Sequence, residues 1–173
     1  MGAAAVGTKL VFAPYNIDYL GVYDIATETF TTVATTGDAA SGPNMYKGAV
    51  AVGTNVYFGP SYKMPSVGVY DTYTGIFSTI ATTGHDASVS KIYNGVAAVG
   101  ALLIFAPHDA NQVGLLDTVS GIFSTVATGG HGNYGGAAAV GTKVVFAPMH
   151  ESNGMRELLM PATSSFSFST LVS

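Results

Sequence analysis

This sequence predicts an all-β chain folded as a β-propeller of four four-stranded antiparallel blades, and three observations support that reading. A run of small apolar residues, a Gly-X pair and a second apolar run ending in proline returns four times: GAAAVGTKLVFAP from Gly2, GAVAVGTNVYFGP from Gly48, GVAAVGALLIFAP from Gly95 and GAAAVGTKVVFAP from Gly136. The unit therefore recurs after 46, 47 and 41 residues, a period typical of propeller blades and solenoids. Helical periodicity is absent throughout, and each unit divides into four short apolar runs punctuated by turn residues.

Each element has a local reason. The first run, Gly2 to Val6 in the first copy, ends at Gly7-Thr8 and is followed by Leu10, Val11 and Phe12. That spacing fits a tight hairpin with a type II′ turn, in which glycine takes the position needing φ > 0. Gly53-Thr54, Gly100-Ala101 and Gly141-Thr142 repeat it. The second run stops at Pro14, Pro60, Pro107 or Pro148, a residue that donates no ladder hydrogen bond and so belongs at a strand end. A variable polar loop leads to the third run, Leu20 to Asp24, Val67 to Asp71 and Val113 to Asp117, and the fourth begins at Phe30, Phe77 and Phe123. Between them lie turns such as Asp71-Thr-Tyr-Thr-Gly75, in which Asp caps its own turn and Gly sits left-handed.

The repeats are expected over 2–47, 48–94, 95–135 and 136–173, within a single propeller domain. The last copy is degenerate: its first two runs are intact, but alignment on Phe168 puts Ala162 where the turn Asp belongs and Pro161 where Tyr70 sits. That proline would demote the strand toward an edge. The chain opens with a first strand and closes with a fourth, so the reading has no blade shared between the termini. Three arrangements remain: a four-bladed ring, half of an eight-bladed ring shared by two chains, or a stretch of a longer array.

The pattern VGVYDTYTGIF, followed by a polar loop, a small-residue strand, Gly-Thr and VYF, resembles the kelch repeat over nearly the whole chain, and is similar to YVTN-type propeller repeats as well. Phe30, Phe77 and Phe123 stand where kelch blades typically carry Trp, and the second strand ends in Ala-Pro or Gly-Pro in place of a Gly pair. The resemblance implies a propeller that binds or assembles. A copper radical oxidase on the kelch architecture would need a Cys-Tyr crosslink, which a chain without cysteine cannot form.

Composition narrows the function. Charged residues are 9% of the chain against roughly 25% in ordinary soluble domains, so much of the surface is expected to be covered by copies of itself, a protein partner or glycan. A net charge of −4 with six scattered Lys and Arg argues against nucleic acid. No apolar run approaches the ~18 residues of a membrane span. The compartment is left open, because secreted repeat proteins can also lack Cys.

Chemistry is expected on the variable loops after the second and fourth strands, which lie on one face of an up-and-down meander and hold every histidine. There His85 with Asp86 could meet His108 with Asp109, and His131 could meet His150 with Glu151, His-carboxylate sets that suit zinc or another divalent ion. The alternative is ordinary solvated loop tips. Tyr46-Lys47, Tyr93-Asn94 and Tyr134-Gly135 each precede the glycine opening a repeat, and place Tyr46, Tyr93, Tyr134, Lys47 and Asn94 either in a binding platform for sugar or peptide or in packing at the blade crossing. Asp24, Asp71 and Asp117 read as turn caps, since hydrolysis needs two converging carboxylates and these recur once per blade. No catalytic signature and no cofactor are expected. The reading is a non-catalytic scaffold for protein assembly or an accessory subunit of a larger complex, with a carbohydrate- or metal-binding propeller as the alternative and a hydrolase behind both.

Overall fold

The computed structural model describes residues 2–37, 44–62, 64–84, 92–129, 132–149, 156–159 and 167–170, with backbone alone for 159 and 167–170. Its sixteen strands form four antiparallel sheets, each built from four strands consecutive in the chain. Blade one holds β1 (Ala3–Val6), β2 (Lys9–Phe12), β3 (Tyr19–Asp24) and β4 (Thr29–Ala34). Blade two holds β5 (Tyr46–Val52), β6 (Asn55–Pro60), β7 (Ser66–Asp71) and β8 (Ile76–Ala81). Blade three holds β9 (Tyr93–Val99), β10 (Leu102–Pro107), β11 (Gln112–Asp117) and β12 (Phe123–Ala127). Blade four holds β13 (Tyr134–Val140), β14 (Lys143–Pro148), β15 (Arg156–Leu159) and β16 (Ser167–Thr170). Among the described residues no helix is long and apolar enough to cross a membrane. The chain groups into two compact units, Met1–Thr82 with blades one and two, and Thr83–Ser173 with blades three and four.

The hairpins close as their glycines require. Gly7, Gly53, Gly100 and Gly141 have φ of 58°, 62°, 58° and 60°, the left-handed value that a two-residue primed turn demands. The Asp turns are capped as expected: Asp71 Oδ1 accepts from the Tyr73 and Thr74 amides at 2.8 and 3.4 Å, and Asp117 Oδ1 from Val119 and Ser120 at 2.8 and 3.2 Å. Asp24 Oδ1 likewise accepts from the Ala26 amide at 2.9 Å, and the Asp24 and Asp71 carboxyls are held below the usual carboxylate value, the largest cause being the backbone donor at Ala26 and at Tyr73 respectively. Folded-state values below the unfolded 3.8 mean that this stabilisation is complete above that pH and fades as pH falls through the lower folded value. Thermal unfolding between pH 5 and pH 2 should therefore show a decline in midpoint that is smaller in Asp71→Asn, which is already uncharged.

Blade one departs from the pattern at the same turn. Gly75 and Gly121 sit at φ of 74° and 71°, whereas the corresponding residue in blade one is Glu28 at φ 54°, a region that costs a non-glycine residue about 1–2 kcal/mol. Glu28→Gly is therefore expected to raise the unfolding free energy by about 1 kcal/mol, measured by urea unfolding.

Within each unit, one blade lays its forward face on the rear face of the next. In the first unit the forward face of blade one (Val11, Ala13, Leu20, Val22) packs on the rear face of blade two, which carries Tyr46, Val56, Phe58, Tyr70 and Phe77. In the second, Ala97, Ile104, Ala106, Val113 and Leu115 of blade three pack on Tyr134, Val144, Phe146 and Leu158 of blade four. Close approach depends on glycine. A Cβ on Gly2 would lie 2.7 Å from Gly48 Cα, and one on Gly95 would lie 2.8 Å from Gly136 Cα.

The degenerate blade differs from its expected alignment. Leu158, not Pro161, pairs with Phe168 and so takes the place that Tyr70 holds opposite Phe77. The third strand lies earlier and the connection to the fourth is three residues longer than in blade two, because a loop absorbs insertions that a ladder cannot. Pro161 and Ala162 lie outside the described residues.

Candidate functional site

The three tyrosines before the repeat glycines are built into the blades. Tyr46, Tyr93 and Tyr134 are fully buried. The cause is a β-bulge. Tyr46 pairs with Pro60 while Ala49 pairs with Phe58, and the same shift occurs at Tyr93/Gly95 and Tyr134/Gly136. Strict alternation would put Tyr46 on the same face as Gly48. The extra residue re-aims the ring onto the rear face, where Tyr46 lies 6.0 Å from Phe58 and 6.3 Å from Phe77, centroid to centroid. Tyr93 meets Phe105 and Phe123 at 5.6 and 6.2 Å.

Beneath these rings lies a glycine of the third strand. A Cβ on Gly68 would lie 3.0 Å from the Tyr46 ring, and one on Gly114 would lie 2.7 Å from the Tyr93 ring. Burial pushes the Tyr93 phenol well above its usual value, and its hydroxyl finds no hydrogen-bond partner among the described residues. In blade four Arg156 stands in the position of that glycine, opposite Phe146. Burial raises the Tyr134 phenol, and the charge of Arg156 pulls it back.

The bulge neighbours reach toward the adjoining blade of their own unit. Lys47 Nζ sits 5.8 Å above the Tyr15 ring, and Asn94 Nδ2 lies 3.5 Å from Met149 Sδ. Both contacts run to the residue that follows a strand-ending proline.

Of the expected metal-binding residues, His108 and Asp109 are described; His85, Asp86, His131, His150 and Glu151 lie outside the described residues. His108 is buried, and its Nδ1 lies 2.6 Å from Asp109 Oδ1. Its backbone links blades three and four, because the amide donates to the Ile92 carbonyl at 2.9 Å and the carbonyl accepts from the Asn133 amide. Tyr15 does the same in blade one, accepting from Met45 N at 2.8 Å. No group of three His, Cys, Asp or Glu close enough to share a metal occurs among the described residues.

The larger unexplained feature is apolar. Phe12 and Phe30 on the rear face of blade one are 39% and 60% exposed, whereas their counterparts in blade two, Phe58 and Phe77, are 0% and 5% exposed. On the forward face of blade four Ala138 and Ala147 are exposed, whereas their counterparts in blade three, Ala97 and Ala106, are buried. A shallow cavity of about 430 Å³ lies there, lined by residues Gly136 to Ala138 and Val145 to Pro148. Repetition alone did not reveal these two faces, because the same residues are core in one blade and surface in another.

No protein-family model matches the chain, and no curated protein matches it. Solved structures do match. The chain is similar to the computationally designed Ika4 protein, with 15% identity, a TM-score of 0.67, and coverage of 92% of this chain and 90% of that one. It is similar to the WD40 repeats of RRP9, with 12% identity, a TM-score of 0.63, and coverage of 84% and 42%. It is similar also to BamB from Moraxella catarrhalis, with 11% identity, a TM-score of 0.63, and coverage of 99% and 50%. It thus spans most of the designed chain and half or less of the two natural ones. At these identities the likeness is one of fold, and the fold is that of a β-propeller repeat protein with four blades.

Proposed function

We propose that this chain is a kelch-like, non-catalytic propeller scaffold that holds proteins together, as an assembly module or an accessory subunit. The observation that carries this reading is the pair of exposed apolar faces, Phe12 with Phe30 on blade one and Ala138 with Ala147 on blade four, at positions that the same repeat buries elsewhere. Apolar surface of this kind marks an interaction site, and a chain with 9% charged residues has little else to keep neighbours away. Propeller neighbours such as the WD40 repeats of RRP9 fit a role in assembly, since loops and faces on a regular repeat present broad binding surfaces.

Covalent surface labelling of the chain inside its native cells, compared with the isolated chain diluted to a monomer, tests the reading. Phe12, Phe30 and Ala138 are expected to be protected in cells. Equal labelling in both settings would overturn the scaffold.

A further inference from the structure

Resting on the scaffold reading above, we infer that the partner of the two exposed faces is a second copy of this chain, with the forward face of blade four of one copy seated on the rear face of blade one of the next. One hairpin is present twice in the chain. Gly2–Pro14 and Gly136–Pro148 differ only at Leu10 against Val144. In blade one this hairpin uses its forward face: Val11 and Ala13 are buried against blade two. In blade four it uses its rear face: Val144 and Phe146 are buried against blade three. Each copy of the hairpin thus shows how the unused face of the other is covered.

The complementary surfaces are therefore both present in this chain. The rear face of blade one (Ala3, Ala5, Phe12) matches the surface of blade four that receives blade three, with Phe12 in register with Ala3 as Phe146 is with Ala137. The forward face of blade four (Gly136, Ala138, Val145, Ala147) matches the surface of blade one that covers blade two. Glycine supplies the closest point. Gly2 and Gly95 each have the next blade's backbone within 3 Å of a Cβ position, while Gly136 has nothing within 4 Å. A following blade fits that space, and a side chain added at Gly136 would stand in its way.

Polar groups agree with the same docking. Lys9 Nζ donates to the Thr72 carbonyl of blade two at 2.7 Å. Its counterpart Lys143 would reach the position of Ile25, which corresponds to Thr72 and is exposed on blade one. Within blade four Lys143 pairs with Glu157 at 3.2 Å, so the docking face carries no net charge from this pair. A contact of this head-to-tail kind closes into a ring or runs on as a chain of copies. Two copies of four blades give eight, within the usual range of four to eight for a propeller.

The test is the solution mass of the purified chain by light scattering across a dilution series, with two variants. The wild type is expected to assemble, the closed form having twice the 17.6 kDa chain mass. Gly136→Val blocks the forward face, and Ala5→Glu blocks the rear face; both positions face open space or solvent, so each variant should keep the wild-type strand signal in circular dichroism and run as a monomer. Mixing the two variants should restore a one-to-one dimer, because Ala5→Glu keeps an intact forward face and Gly136→Val an intact rear face. A wild type that is monomeric at every concentration, a Gly136→Val chain that assembles like wild type, or a mixture that remains monomeric each overturns the inference. If the isolated chain is a monomer while its faces are protected in cells, the head-to-tail pairing fails and the scaffold stands. If the faces are unprotected in cells, both fail.

Discussion

Tyr93→Ala is expected to lower the free energy of unfolding by about 4 kcal/mol, the range seen when a large buried aromatic is cut to alanine and its site cannot collapse. The site is rigid for a stated reason. The Tyr93 ring is enclosed by Phe105, Phe123 and the bare backbone of Gly114, and all three belong to strands of one ladder that cannot move independently. The loss would be read as a drop in the urea midpoint at constant slope. Tyr93→Phe separates packing from polarity. It keeps the ring and removes a buried hydroxyl with no partner among the described residues, so stability should rise by about 1 kcal/mol. A marked loss in Tyr93→Phe would show that the hydroxyl is bonded in solution and would reopen the tyrosines as polar recognition groups.

Gly95→Val is expected to cost about 3 kcal/mol, at the upper end of overpacking penalties. Its Cβ would lie 2.8 Å from the Cα of Gly136, and a backbone atom cannot rotate aside as a side-chain tip can. Relief requires blades three and four to separate, which would loosen Ile104, Leu115 and Phe146 as well. Hydrogen exchange should report the change as faster exchange in β9, β10 and β13 together. The same substitution at Gly136 meets open space and should leave folding unchanged, which makes the pair a control on whether the effect is steric or a loss of glycine as such.

The blades were legible in the sequence because their turns carry the signal: Gly7 and its counterparts need positive φ, and Asp71 and Asp117 cap the hairpins they open. The strand-ending prolines were equally plain. The orientation of Tyr46, Tyr93 and Tyr134 was not, because alternation reads a face by counting residues and a single bulge residue reverses the count. Only the glycine opposite, Gly68 or Gly114 in an otherwise branched apolar strand, hinted that something large lies across it. The third strand of blade four is hidden from the sequence for a related reason: Phe168 fixes one side of a hairpin, while the length of the connection fixes the other, and that length is free. The exposed faces of blades one and four follow from which neighbour each blade has, a property that near-identical repeats conceal.

Among the described residues, the four sheets join strands consecutive in the chain. The hydrogen bonds of a blade can therefore form without waiting for remote segments to diffuse together, which removes the main kinetic handicap of β structure. Blades should zip up as successive hairpins. Chain order, which in most sheet proteins opposes rapid folding, here favours it.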